Sequence, residues 1–146
     1  MEEEIVLKAK ENYLKEGFSC GEAIVKAIKE AKIIEVPEEI IKVASPFKTG
    51  IGKKNDFCGA LLGGIVLIGL RYGRSKKEES PEKAIKLAAK LYEEFEKEFG
   101  DVRCQNLLKE FIEKDALESK ERKNFCAERF ISFVTKKLIE ILKEEN

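Results

Sequence analysis

The sequence predicts a single-domain, all-α bundle of about six or seven helices. Apolar residues recur three and four positions apart along most of the chain, and the alternation typical of strands is almost absent. The length of 146 residues fits one domain that buries a real hydrophobic core. Because no repeat, linker or low-complexity tract interrupts the chain, this one domain is expected to span residues 1–146.

Four helices are expected in the first half of the chain, each bounded by a glycine, a proline or the Gly-rich segment at residues 49–55. Their expected ranges are about 3–15, 20–32, 37–45 and 57–72. In the second half, Ser80-Pro81-Glu82 is a strong helix start, and Gly100 is expected to end that helix. A sixth helix is expected from 101 to about 112 and a last one from 122 to 143, with residues 115–120 as a short helix or as part of the last one.

Composition excludes several classes of protein. The chain carries 28 basic and 28 acidic residues with no long block of one sign, so nucleic-acid binding is not expected. Its longest apolar run, residues 57–70, is shorter than the roughly 18–20 residues that span a bilayer, and the acidic N-terminus is not expected to be a signal peptide. A cytoplasmic location is therefore expected, where cysteines serve catalysis, redox sensing or metal binding more often than structural disulfides. The Lys- and Glu-rich surface suggests a thermophilic host.

The candidate functional residues are four cysteines: Cys20, Cys58, Cys104 and Cys126. Each lies on the apolar stripe of its predicted helix and closely follows a residue suited to N-capping. The expected caps, in order, are Ser19, Asp56, Asp101 and Asn124. A helix N-terminus presents unpaired N–H groups and the positive end of the dipole, so a thiolate there is stabilised and its pKa falls below the roughly 8.5 of a free thiol.

The expected order of the helices predicts that these cysteines meet. Consecutive helices with short connections tend to run antiparallel, so helices two apart point the same way. Cys20, Cys58 and Cys104 are therefore expected at one pole of the bundle. Cys126 joins them if residues 115–120 add one further reversal. A structural alternative stays open, because free cysteine also packs in cores as a small hydrophobe.

Missing residue types narrow the chemistry. The chain has no histidine, which excludes Cys–His pairs, Ser–His–Asp triads, mixed Cys/His zinc sites and histidine-ligated haem. It also has no Cys-x-x-Cys pair, so a thioredoxin-type site is excluded. Any reactive dithiol must be assembled from cysteines that are distant in sequence.

Residues 58–63, C-G-A-L-L-G, resemble the C-G-A-x-x-G motif of the C_GCAxxG_C_C family, which is defined by four spaced cysteines. The resemblance continues at residues 20–23 (C-G-E-A), 50–52 (G-I-G), 69–74 (G-L-R-Y-G-R) and 99–107 (F-G-D-V-R-C-Q-N-L). Cys126 stands where the fourth cysteine belongs, and the likeness runs from about Asn12 to Leu142. It implies a redox role for the cysteines and assigns no role to any other residue.

Three interpretations follow. In the first, cysteine pairs cycle between dithiol and disulfide, as in a thiol-dependent oxidoreductase that works with a partner protein or a small thiol or disulfide. Cys58 is the expected attacking thiolate, with Cys20 or Cys104 as the resolving partner. In the second, all four thiolates hold zinc or an iron–sulfur cluster, although the usual clustered spacing is missing. In the third, the cysteines form static disulfides or pack inertly in a structural or partner-binding module.

Two glycine-containing segments carry further expectations. Gly59 and Gly63 share one smooth face of their helix, which predicts tight helix packing or a homodimer contact. Residues 50–53 (G-I-G-K) fail the spacing of a phosphate loop and are expected to form a turn or lid beside Cys58. The cations expected near Cys58 are Lys53, Lys54 and Arg71.

Overall fold

The computed structural model describes residues 1–144 and confirms the all-α prediction. Within those residues no strand forms, and the single extended pairing is an isolated antiparallel bridge between Phe57 and Arg103. The helices are α1 Glu2–Leu14, α2 Cys20–Ala31, α3 Glu38–Ala44, α4 Gly59–Tyr72, α5 Glu82–Phe99, α6 Cys104–Leu107, α7 Lys109–Glu113, α8 Lys120–Cys126 and α9 Ser132–Glu144. A 3₁₀ turn, Ser45–Phe47, follows α3, and a π turn, Ala127–Ile131, makes α8 and α9 continuous. The predicted ranges of the first five helices are confirmed to within two residues.

The start of α2 is fixed by a capping box. Glu22 Oε1 accepts hydrogen bonds from the backbone N–H and from the hydroxyl of Ser19, both at 2.9 Å. Glu22 Oε2 accepts a third from the hydroxyl of Ser45, at 2.8 Å. One carboxylate therefore ties the N-terminus of α2 to the turn after α3. This arrangement holds Cys20 as the first residue of α2.

Helix α4 is the central element and contacts α2, α3, α5 and α9. It approaches α2 so closely that a Cβ on Gly63 would lie 2.9 Å from the Cα of Gly21, and one on Gly21 would lie 2.9 Å from the carbonyl oxygen of Gly59. The tight packing predicted from these glycines is confirmed and is made within the chain. A homodimer stays a prediction, which this occupied face does not support. Neither α4 nor any other helix of the described chain is long and apolar enough to cross a membrane.

An aromatic cluster fixes the C-terminal helix against α5. Phe95 and Phe99 pack on Phe130 and Phe133, with ring centroids 4.9 to 6.0 Å apart and mostly edge-to-face. Their packing anchors the π turn, and with it the end of α8, inside the bundle.

The region after α5 departs from the prediction. The helix expected over 101–112 is interrupted at Leu108, which leaves helical conformation with φ −112° and ψ 20°, so two short helices replace it. Residues 115–119 form a turn in which Asp115 takes φ +54°. The last helix then begins after Ser119, whose hydroxyl accepts the N–H of Arg122 at 3.1 Å. It therefore starts two residues earlier than predicted, because Ser119 offers a good cap.

Candidate thiol site

One cavity of about 120 Å³ brings the four cysteines together. Cys58, Cys104 and Cys126 are buried, at 3%, 7% and 4% exposure, and Cys20 is half-buried. All four are free thiols. The space between these cysteines is called the thiol cavity, and the side chains of Tyr13 and Arg122 are among those that line it.

Cys58 and Cys104 are placed by the crossing of two extended segments. The bridge between Phe57 and Arg103 is flanked by two backbone hydrogen bonds, one of 2.8 Å from the N–H of Cys58 and one of 2.7 Å from the N–H of Cys104. Successive side chains of an extended segment point to opposite faces, so the two cysteines lie on the face opposite to Phe57 and Arg103. The crossing thus puts two thiols from distant parts of the chain side by side.

These two thiols lie close enough for each to shift the pKa of the other. Their contact lowers the pKa of Cys104 and raises that of Cys58, whose burial raises it further. Burial opposes the lowering at Cys104, but the N–H of Gly59 at the start of α4 and the charge of Arg122 reinforce it. Cys104 is therefore the sulfur of this cavity that is best stabilised as a thiolate.

Cys20 reaches Cys58 through the contact between α2 and α4. Each of these cysteines is followed by a glycine, and Gly21 lies against the carbonyl of Gly59 with no room for a side chain between them. The two Cys-Gly steps therefore meet, which brings the N-termini of α2 and α4 together. Cys20 is close enough to raise the pKa of Cys58, after the larger effects of Cys104 and of burial.

Cys126 lies beside Arg122, one helical turn earlier in α8. Arg122 Nη1 donates to Cys126 Sγ at 3.6 Å and to the hydroxyl oxygen of Tyr13 at 2.6 Å. Arg122 Nε donates to the carbonyl of Leu117. The sulfur of Cys126 is thus held by side chains, a guanidinium and a phenol, where that of Cys104 is held by a thiol and a backbone amide.

Burial favours the neutral form of the other thiols and of the phenol in the thiol cavity. It raises the pKa of Cys20, and the nearby sulfur of Cys126 raises it further. Burial also raises the pKa of Cys126, although Arg122 acts in the opposite direction. The pKa of Tyr13 is raised by burial and then by the sulfurs of Cys20 and Cys126. Of the four thiols, only Cys104 has its pKa lowered.

A left-handed turn precedes Cys58 and borders the thiol cavity at Thr49. Five consecutive residues take positive φ: Thr49 at +47°, Gly50 at +72°, Ile51 at +62°, Gly52 at +57° and Lys53 at +62°. A Cβ on Gly50 would lie 2.4 Å from the backbone nitrogen of Asp56, so the turn is wedged against the segment that leads into Cys58. The predicted turn is confirmed, and its use as a lid stays a prediction. Backbone strain of this kind gathers at functional sites, since non-glycine residues rarely adopt it.

The predicted cap of α2, Ser19, is confirmed, but the caps of α4 and α6 were wrong. Cys58 itself occupies the N-cap position of α4, in place of Asp56. Asp101 closes a turn before α6 by accepting the N–H groups of Val102 and Arg103, at 2.7 and 2.9 Å. The extended crossing includes the residues between that turn and Cys104. Helix α6 therefore begins at Cys104, three residues later than predicted.

The placement of Cys126 at a helix start was also wrong. Asn124 lies inside α8, and Cys126 is its last residue, followed directly by the π turn. The cations expected near Cys58 do not line the cavity either. Those that do are Lys48, Arg122 and Lys123.

Sequence reasoning missed Tyr13 and Arg122. Arg122 lies four residues before Cys126, so helical spacing alone could have placed it on the face of that cysteine. Tyr13 carries no such signal, because it comes from α1 and its contact with α8 is tertiary. In the sequence alone, a tyrosine near the end of a helix is indistinguishable from one that only packs in the core.

A single ion-binding cluster is not formed by these side chains. Among residues 1–144, no three His, Cys, Asp or Glu side chains are arranged so that they could hold one metal ion. The zinc or iron–sulfur interpretation gains no support from this geometry and stays a prediction.

Comparison with known proteins gives one match. Residues 18–141 match the model of a family whose description reads "Putative redox-active protein (C_GCAxxG_C_C)". The matched range covers most of the chain and includes all four cysteines. No curated protein and no solved structure matches the chain.

Proposed function

Because this chain belongs to the C_GCAxxG_C_C family, we propose that the thiol cavity performs reversible thiol–disulfide exchange with Cys58 and Cys104 as the working pair. The observation that supports this is the backbone crossing, which brings these two free thiols to one face and close enough for each to shift the pKa of the other.

The exchange proceeds in two displacements. The thiolate of Cys104 attacks one sulfur of a substrate disulfide, which forms a mixed disulfide and breaks the substrate S–S bond. Cys58 then loses its proton to the departing substrate sulfur and attacks the sulfur of Cys104. This closes the Cys58–Cys104 disulfide and frees the second substrate thiol. The substrate gains the two electrons and two protons that the cysteine pair loses.

This assignment exchanges the roles that the sequence suggested for the two cysteines. Cys58 was expected to attack, with Cys20 or Cys104 resolving. The lowered pKa of Cys104 and the raised pKa of Cys58 favour Cys104 as nucleophile and Cys58 as the resolving thiol. Cys20 remains a second candidate for resolution, because the Cys-Gly contact brings it to Cys58.

A small thiol or disulfide suits the site better as a partner than a large protein surface does. The two working cysteines are 3% and 7% exposed, and the cavity has a volume of about 120 Å³. A folded partner would have to insert a narrow segment to reach Cys104. A small disulfide can enter past the exposed residues Lys48 and Lys123.

Trapping of the mixed disulfide tests the proposal. Reduced wild-type protein, Cys58→Ser and Cys104→Ser are mixed with 2-hydroxyethyl disulfide and followed by intact mass and peptide mapping. The wild type is expected to lose two hydrogen atoms as the Cys58–Cys104 disulfide closes. Cys58→Ser is expected to accumulate a hydroxyethyl adduct on Cys104, because the resolving thiol is gone. Cys104→Ser is expected to form no adduct on that time scale.

Each result that contradicts these expectations would support a different interpretation of the cysteines. A faster adduct on Cys58 in Cys104→Ser would restore Cys58 as the nucleophile. A thiol count that no redox buffer changes would contradict the exchange function and favour a structural module. Stoichiometric zinc or iron in protein purified without oxygen would favour the metal interpretation.

A further inference from the structure

A buried cation without a carboxylate partner faces the thiol cavity. Arg122 is only 6% exposed. None of the Asp or Glu side chains that the structure describes forms an ion pair with it. Its hydrogen-bond acceptors are neutral: the carbonyl of Leu117, the hydroxyl of Tyr13 and the sulfur of Cys126. A guanidinium removed from water without a counter-charge is costly, so a bound anion that supplies the counter-charge would be favoured here.

The donors of Arg122 are only partly used. A guanidinium has five N–H donors. Nε serves the carbonyl of Leu117, and Nη1 serves Tyr13 and Cys126. Nη2 has no hydrogen-bond partner in the described chain, and it is not among the buried atoms sealed from solvent. Its two N–H groups are therefore open to a ligand in the cavity.

The surroundings of the cavity add positive charge. Lys48 and Lys123 line it from exposed positions, and Glu118, also exposed, is the one carboxylate that lines it among the described residues. The cavity lining thus carries three cations against one anion. The thiols and the phenol inside are mostly neutral, so they do not balance this excess.

We propose that the thiol cavity binds a carboxylate group through Arg122, so that the substrates of the site are small disulfides or thiols that carry a carboxylate. Nη2, the guanidinium nitrogen that Leu117, Tyr13 and Cys126 leave unused, can donate a charge-assisted hydrogen bond to a carboxylate oxygen. Lys48 and Lys123 attract the anion to the mouth. A carboxylate held at Arg122 places the rest of its molecule beside the sulfurs of the cavity. The substrate class rests on the proposed exchange function, whereas the carboxylate site itself does not.

Binding is tested with an unreactive ligand. 3,3′-Thiodipropionate is a thioether and cannot exchange with thiols, and its diamide is the neutral control. Calorimetry on reduced wild-type protein is expected to show saturable binding of the diacid and none of the diamide. In Arg122→Met the affinity for the diacid is expected to fall by about tenfold or more. Arg129→Met is the matched control: Arg129 lies in the π turn that follows α8, is exposed and stacks 4.5 Å from the ring of Phe125, so its loss should leave binding unchanged.

If Arg122→Met does not fold, a variant of the two exposed lysines that line the cavity still tests the proposal. The double variant Lys48→Gln, Lys123→Gln changes only exposed side chains. It is expected to bind the diacid more weakly and with a smaller dependence on salt. Equal affinity for the diacid and the diamide in wild-type protein overturns the proposal. So does undiminished binding of the diacid by folded Arg122→Met.

The reactive pair separates this inference from the exchange function. Reduced protein is expected to exchange faster with 3,3′-dithiodipropionate than with its diamide, and Arg122→Met is expected to abolish that preference. Binding of thiodipropionate without any reduction of dithiodipropionate would uphold the carboxylate site and refute the exchange function. Exchange with both disulfides at equal rates, with no binding of thiodipropionate, would do the reverse.

Discussion

Cys104 and Cys126 line the same cavity, but different kinds of group surround their sulfurs. At Cys104 the partners are the thiol of Cys58 and the N–H of Gly59, which the backbone crossing and the start of α4 hold in place. At Cys126 the partners are Arg122 and Tyr13, both long side chains. The N–H of Gly59 comes with the fold, whereas the thiol of Cys58 and the side chains at Cys126 can be exchanged one at a time. The comparison assigns a built-in nucleophile to one wall of the cavity and an adjustable, cationic wall to the other.

The largest expected effect comes from replacing the two sulfurs that are compared. Cys104→Ser should abolish the fast exchange with 2-hydroxyethyl disulfide, because a hydroxyl does not attack a disulfide. Cys126→Ser, the matched control in the same cavity, should retain it. Stopped-flow kinetics across pH provides the measurement. In the wild type the rate should rise as pH increases through a pKa below the ordinary 9.0 of a thiol, since Cys58 lowers the pKa of Cys104. Equal losses in the two variants would contradict the distinction.

The second prediction concerns the helix contact that closes the cavity. Gly63→Ala would put a Cβ 2.9 Å from the backbone of Gly21, so it should cost about 2 kcal/mol in the free energy of unfolding. Gly69→Ala is the control in the same helix, since its Cβ meets nothing within 4 Å and should stabilise α4 by up to about 1 kcal/mol. Urea denaturation measures both. If Gly63→Ala were as stable as Gly69→Ala, the close contact between α2 and α4 at Gly63 would not be needed for stability.

The sequence predicts some parts of the fold and of the thiol cavity better than others. The ranges of α1 to α5 follow from apolar periodicity and from local starts and stops, such as Pro81 and Gly100, so they are visible in the chain alone. The convergence of Cys20, Cys58 and Cys104 is predicted from an alternation of helix direction, although the backbone crossing and the Cys-Gly contact are what bring them together. Each of these signals is local, or depends only on the order of the elements.

Other features arise from contacts that no local pattern encodes. The crossing of Phe57 with Arg103 is made by backbone groups from segments far apart, and it moves the helix starts away from Asp56 and Asp101. The partnership of Tyr13 with Arg122 needs α1 and α8 to be neighbours. The sequence therefore predicts which sulfurs gather, and the tertiary contacts decide which of them carries charge.

A smaller effect is expected in the dependence of stability on pH. The folded pKa of Cys20 is raised by burial, so its contribution to stability is complete below the unfolded value of about 9.0 and is lost as the pH rises above that value. The free energy of unfolding should therefore fall in alkali, with about 1.4 kcal/mol per pH unit from this thiol. Cys20→Ala should remove that share of the slope, while Cys104→Ala should not, because the pKa of Cys104 is lowered. Denaturation at several pH values above 9.0 provides the test, and unchanged slopes in Cys20→Ala would contradict the burial argument.

The smallest expected effect tests the side of the cavity that Arg122 and Tyr13 form. Tyr13→Phe removes the hydroxyl that accepts from Arg122 at 2.6 Å, and should cost about 1 kcal/mol in the free energy of unfolding. It also frees a further N–H of Arg122, so a carboxylate ligand should bind no more weakly than in the wild type. The pH profile of exchange at Cys104 should not move, because Tyr13 is not among its partners. Tyr92→Phe, at a ring that packs on Phe57 outside the cavity, controls for the loss of a phenol. A shift of the Cys104 profile in Tyr13→Phe would show that the two walls titrate as one unit, and that the separation between fixed nucleophile and adjustable cation does not hold.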